Sequence, residues 1–381
     1  DSINPAALTA GPFTIADDSV NAFMLPIAAL VKDQVEPHAL GKEQFNEAWV
    51  VAPDPGGVWG LGPTFNEDRC IHCHINNGRA KAPEDGKEAT VGMLIRLSIP
   101  GAAERTGAPL PHPNYGDQLQ NRGVQDRVPA EGHPIFNYEP REVSFADGEK
   151  VVLRRPKIEF KDLQFGELGK DLLTSPRAAQ AMVGLGLLEA VPDETILDLA
   201  KDQAKQGLVS GKPNYVWDHE FEKTVLGRFG WKANQPSIRQ QVAAAFHGDI
   251  GATTFLFHEE NCPAAQTACL DLPSAAKCGG QGGCTGNAFR PEVVPSRLSN
   301  ITLYLQTLAV PARRNVDAAA FQRGEKLFAE ANCSACHVPE LKTGPKPAIA
   351  AAANLAIRAY TDLLLHDMGT DLADGRPDFK A

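Results

Sequence analysis

The sequence predicts a mainly α fold with a small β-hairpin and long loops. Three observations carry this expectation. Apolar residues recur at helical spacing between recognisable caps, one segment carries a strong hairpin signal, and a C-x-x-C-H pentapeptide occurs twice, each time downstream of a similar short stretch. The chain has 381 residues, 43% of them hydrophobic and 22% charged, which is a globular composition sufficient for two or three domains.

The hairpin signal lies at Glu142 to Arg154, where EVSF and KVVL flank Ala146-Asp147-Gly148-Glu149. From Pro192 to Gln206, Ile196, Leu199 and Ala200 share a helical face, and Gly207 stands where a C-terminal cap belongs. Ser237 to His247 reads the same way, with Gly248 as its stop. Ser296 to Thr307 puts Leu298, Ile301, Leu305 and Leu308 on one face before Pro311 ends it. Asp317 is placed to cap a helix carrying Phe321, Gly324, Leu327 and Phe328, and a further helical stretch runs from Asn354 to His366.

Gly41-Lys42-Glu43-Gln44-Phe45 resembles Gly324-Glu325-Lys326-Leu327-Phe328, and each stands upstream of a C-x-x-C-H. This points to a duplicated plan, with a Gly- and Pro-rich loop inserted before the first motif. The motifs are Cys70, Cys73 and His74, and Cys333, Cys336 and His337. Chance predicts on the order of 0.004 such pentapeptides from 8 Cys and 10 His in 381 residues, so two are not accidental. C-x-x-C-H is the attachment signature of haem c: two thioethers fix the macrocycle and the next His coordinates iron from the proximal side. The competing reading is a redox C-x-x-C followed by a coincidental His. The expected architecture is therefore two class I cytochrome c-like haem domains. They span residues 1–190, with the loop insert and hairpin, and 296–381, joined by a helical connecting region with a Cys-rich loop at 191–295.

Sixth ligands are less determined. Met368, beyond the 354–366 stretch, is the candidate for the second haem, with His366 as the alternative. Met93 is the candidate for the first, against a packing role in the apolar run from Val91 to Ile95. His72 is read as a surface residue, and His112, His133, His247 and His258 as ordinary hydrogen-bonded residues. Gln118, Gln120 and Glu131 are catalytic candidates by nearness to the first motif, Trp231 is an electron-transfer candidate, and calcium is carried as a further cofactor expectation.

The remaining cysteines, Cys262, Cys269, Cys278 and Cys284, form an even, Gly-rich cluster that fits two disulfides in an oxidising compartment, with three possible pairings. Zinc is the alternative, although none of the four sits in a C-x-x-C pair. The expected location is the periplasm, with an export signal already removed. No apolar run approaches the ~18 residues of a membrane-spanning helix. A net charge of −10 argues against a nucleic-acid partner and is compatible with docking to a basic protein.

Six blocks carry a family resemblance: Gly60 to Asn66 (GLGPTFN), Tyr115 to Gln120 (YGDQLQ), Gly184 to Ala190 (GLGLLEA), Gly227 to Ala233 (GRFGWKA), Glu259 to Cys262 (EENC) and Leu363 to Gly369 (LLLHDMG). They resemble the bacterial di-haem cytochrome c oxidoreductases labelled thiol oxidoreductases, distant relatives of bacterial di-haem cytochrome c peroxidases. The resemblance implies that electrons from a small cytochrome or copper protein enter at the C-terminal haem and that peroxidase-like chemistry occurs at the N-terminal one. It also implies a domain continuing beyond Ala381. The rival readings are a pure electron-transfer cytochrome and a di-haem enzyme oxidising a protein side chain or thiol.

Overall fold

Most helices expected from spacing form, one does not, and strands form where the sequence alternates little. The computed structural model describes residues 4–51, 54, 56–124, 126–272 and 290–377. Its helices are α1 (Lys32–Asn46), α2 (Cys70–Cys73), α3 (Leu185–Glu189), α4 (Asp193–Gln206), α5 (Ile238–Ala245), α6 (Thr267–Asp271), α7 (Pro295–Gln306) and α8 (Ala319–Glu330). The longer strands are β1 (Met93–Ala102), β2 (His133–Ser144), β3 (Lys150–Lys161), β4 (Leu173–Ala178), β5 (Tyr215–Asp218) and β6 (Lys223–Leu226).

α4 ends as expected, with Gly207 at φ 70° satisfying the last turn from the left-handed region. The Ser237 hydroxyl caps α5 by accepting from Gln240 N at 3.2 Å. Gly248 is not its stop. The helix widens into a π-turn at Phe246–Ile250 and ends at Gly251, whose φ is 74°. Asp317 does not cap α8 either; its carboxylate accepts from the Asn4 side chain at 3.1 Å.

β2 and β3 pair antiparallel over their whole length, from Lys150 opposite Ser144 to Lys161 opposite His133. The hairpin is thus where the sequence put it but far longer than Glu142 to Arg154. β1 pairs antiparallel with β4, Met93 opposite Ala178 and Ser98 opposite Leu173.

The mainly α expectation, with two class I cytochrome c-like domains, is overturned. Among the described residues helix accounts for 28% and strand for 22%, a mixed fold with several small sheets. The physical reason is readable in the strands themselves. β1 and β4 contain Pro100, Gly101 and Pro176, which weaken any strand signal, and Pro140 and Pro156 do the same in the part of the hairpin that extends beyond Glu142 to Arg154. Asn354 to His366 is also not a helix. It holds a two-residue strand at Ala356–Ile357 and irregular backbone, with Asn354, Tyr360 and Leu363 at positive φ.

Three apolar clusters hold these elements together. The first joins Phe45 and Trp49 to α5, the π-turn and α7. The second gathers Phe13 and Ile27 with Leu187, Ile196 and, from the other end of the chain, Leu341, Ile357 and Leu364. The third packs Ile95 and Leu97 of β1 on Tyr115, Leu119 and Phe136. α1 crosses α7 closely: a Cβ on Gly41 would overlap the Asn300 carbonyl and lie 2.8 Å from Tyr304 Cβ. Beside this crossing His38 is buried, its Nδ1 2.7 Å from the Thr307 hydroxyl, and burial lowers its pKa to about 4. Among the described residues no helix is long and apolar enough to cross a membrane.

Candidate functional site

The first C-x-x-C-H forms the single turn α2, with His74 capping it. The preceding segment is fixed from both sides: Trp49 N donates to Asp68 O at 2.8 Å, and Asn66 N donates to Asp249 O in the π-turn at 2.8 Å. His74 Nδ1 donates to the backbone carbonyl of Gln180 at 2.8 Å, just past the end of β4. That bond selects the Nδ1–H tautomer and leaves the Nε2 lone pair able to coordinate. The Phe45 ring lies 6.2 Å from the His74 ring.

The second motif repeats this arrangement. His337 Nδ1 donates to the Tyr360 carbonyl at 3.2 Å, and the Phe328 ring lies 6.3 Å from the His337 ring. Tyr360 is at φ 51°, so a strained backbone presents that carbonyl. Phe45 and Phe328, matched in the short internal similarity, each lie near a motif imidazole. All four motif cysteines are unpaired. Burial, with the nearby Asp249 carboxylate, pushes the Cys70 thiol up to about 12 and the Cys73 thiol up as well. Thiols so disfavoured as thiolates make a poor redox pair.

Around the first motif the structure assembles the three candidates that the sequence named only by proximity. Gln118, Gln120 and Glu131 are all buried. Gln118 Nε2 donates to Asn66 Oδ1 at 2.6 Å, to Asp249 Oδ1 at 2.8 Å and to the Gly248 carbonyl at 3.1 Å, and Gln120 Nε2 reaches the same carbonyl at 2.8 Å. Gln120 N donates to Glu131 Oε2 at 2.6 Å. Desolvation dominates the Glu131 carboxyl, pushing it up to about 8. Burial likewise raises Asp249. Beside them Arg96 Nη1 pairs with Asp117 Oδ2 at 2.5 Å, and His247, its pKa lowered by burial, stacks on Phe257 at 5.3 Å. The sequence missed Asp249, Arg96 and Gln266. The His247-Gly248-Asp249 run after an amphipathic helix was the available signal for the first of these.

At the second motif, Cys336 Sγ lies 3.7 Å from His366 Nδ1, whose Nε2 meets Asp362 Oδ2 at 2.7 Å. Gln203 Nε2 donates to the same Asp362 oxygen at 2.8 Å. Met368 is 62% exposed. Met93 opens β1 and packs against the third apolar cluster. Trp231 is 46% exposed, outside the core. Its Nε1 donates to Ala178 O at 2.7 Å, and the Arg79 guanidinium sits 6.0 Å from its ring. His112, His133 and His258 are hydrogen-bonded to Leu168 O, Glu88 and Phe255 O.

Cys262 is bonded to Cys269, while Cys278 and Cys284 lie outside the described residues. Among the described residues, Glu67, Asp68 and His72 form one group able to hold a metal ion. His72 is exposed as expected, and the two carboxylates already pair with Arg122 and Arg69. Two carboxylates and an imidazole fall short of the six to eight oxygens calcium takes.

The sequence model of one family, described as "Di-haem oxidoreductase, putative peroxidase", matches residues 7–381. The chain belongs to the di-haem oxidoreductase family. No curated protein and no solved structure matches it. Family membership makes haem the cofactor, and the residues fit it. Each pentapeptide of this di-haem oxidoreductase offers two unpaired thiols and an imidazole with Nε2 left to coordinate. The amide oxygens Gln118 Oε1 and Gln120 Oε1 are buried without a hydrogen-bond partner, an arrangement costly unless a guest with protons to donate uses them.

Proposed function

We propose that this di-haem oxidoreductase carries two covalently attached haem c groups, on Cys70, Cys73 and His74 and on Cys333, Cys336 and His337, and reduces peroxide at the first. The observation that carries the reading is the repeated tautomer lock, His74 Nδ1 on Gln180 O and His337 Nδ1 on Tyr360 O, which readies both imidazoles in the same way. The buried Gln118, Gln120 and Glu131 set belongs to the first motif alone and supports the peroxidase assignment there.

A haem held by Cys70, Cys73 and His74 would supply the iron and the electrons for O–O cleavage. The chain supplies protons and orientation. With its carboxyl pushed up to about 8, Glu131 holds a proton at neutral pH that an ordinary glutamate would have lost. The Gln118 and Gln120 amide oxygens accept hydrogen bonds from the incoming hydroperoxide, beside the Arg96–Asp117 pair. Two electrons and two protons convert hydrogen peroxide to two waters.

Met368 would be the sixth ligand of the second haem. It stands exposed, whereas His366 is committed to Asp362 and lies against Cys336. The donor is a small cytochrome or copper protein entering at that haem, and Trp231 relays electrons beside the first site. The Cys262–Cys269 disulfide supports residence in the periplasm, where such bonds persist. Denatured protein should retain about two haems per chain in a pyridine haemochrome assay. One haem, or extraction into acid acetone, contradicts the attachment.

A further inference from the structure

The disulfide loop has a second role in the geometry. α6 begins inside it and runs past Cys269, and the residue at its N-cap, Gln266, has no solvent exposure. Its Nε2 donates to Glu131 Oε1 at 2.5 Å and to the Asn114 carbonyl at 2.8 Å. Its backbone is fixed by its own N–H on Pro263 O at 2.9 Å, while its carbonyl receives Cys269 N at 3.0 Å. Cys262 and Cys269 bracket this turn, with Cα atoms 5.7 Å apart. A buried amide in a short staple thus faces the carboxyl that the proposed reaction uses for proton delivery, from the side opposite Gln120.

We infer that Gln266 is a positioning residue for Glu131, and that the Cys262–Cys269 disulfide is the element that holds it there. The inference rests on the proton-delivery role of Glu131, but the two can fail separately. Glu131 takes one hydrogen bond on each oxygen, from Gln120 N and from Gln266 Nε2. Both favour the charged form, against burial and the Asp117 carboxylate. The other titratable group close by is the Tyr115 phenol, and Asp117 is itself paired with Arg96. Gln266 is therefore the donor whose loss changes the proton affinity of Glu131 without adding or removing a charge. Opening the loop acts on the same bond by letting the Gln266 turn move away.

The test titrates the Glu131 carboxyl by infrared difference spectroscopy in the haem-loaded protein, the band being assigned by its loss in Glu131→Gln. Gln266→Leu keeps the volume and removes the donor. It should move the titration up by about one pH unit. Cys262→Ala/Cys269→Ala, with Gln266 intact, should shift it in the same direction. In peroxide turnover, both variants should lower kcat with KM little changed and displace the alkaline limb of the pH profile, while haem content stays at the wild-type level. Should Gln266→Leu fail to fold, the double cysteine variant carries the test alone. A titration unmoved in a folded variant overturns the positioning role. If Glu131→Gln keeps full peroxide turnover, the proton-delivery reading fails, and the infrared shift still decides whether Gln266 positions Glu131.

Discussion

Glu131 has no solvent exposure, and desolvation pushes its carboxyl from the ordinary 4.5 up to about 8 against two hydrogen bonds that favour the charged form. A folded-state value above the unfolded one means the native chain holds its proton more tightly. The stability this contributes is complete below about 4.5 and is lost as pH rises through about 8. The slope approaches about 1.4 kcal/mol per pH unit between those limits. Glu131→Gln should therefore leave melting temperature nearly unchanged in mild acid and raise it relative to wild type above pH 8. Equal melting shifts at both pH values would show that the carboxylate is not penalised. Part of this site was legible in sequence, since Gln118, Gln120 and Glu131 follow the first motif closely. Asp249 and Gln266 were not, because they lie over a hundred residues away and reach the site only through the π-turn and the disulfide loop.

The two copies of the short internal similarity sit in unlike surroundings, and their helices should respond oppositely to the same change. Gly41 in α1 lies against the Asn300 carbonyl and Tyr304 of α7, whereas a Cβ on Gly324 in α8 would meet nothing within 4 Å. Gly41→Ala should cost about 2 kcal/mol through overpacking. Gly324→Ala should be neutral or stabilising by about 0.5–1 kcal/mol, the usual helix preference. Denaturant melts of both variants check this, and a stabilising Gly41→Ala would refute the close crossing. α4, α5 and α7 were legible because each has a packed apolar face and a capping signal. β1 and β4 were not, since Pro and Gly inside them read as loop, and their pairing is set by residues some 80 positions apart. The stretch before Met368 misled for a different reason. Its leucines at Leu363 to Leu365 suggest a helix, but Leu363 takes a left-handed turn and its side chain packs into the second cluster.

Over the whole molecule, the second cluster ties the N-terminal segment to the chain beyond Leu341, and the Lys232–Asp374 pair at 2.7 Å links the Trp231 loop to the segment following Met368. These ties join the first residues and the segment after Met368 to elements far from them in sequence, contacts that composition and periodicity did not foretell. With Met368 on the second haem, that haem should have the higher potential, because a thioether favours ferrous iron relative to a second imidazole. Met368→Leu should lower the upper step of a redox titration and leave the lower one in place, and unchanged potentials would return Met368 to a surface role. The most direct test of the central claim is peroxide consumption by protein reduced at the second haem only, with a small electron-donor protein present. The account predicts turnover that falls about a hundredfold or more in Glu131→Gln, the usual range for losing one proton-transfer group, while both haems remain attached. Half-reduced protein that consumes no peroxide and binds no cyanide at the His74 haem would contradict it.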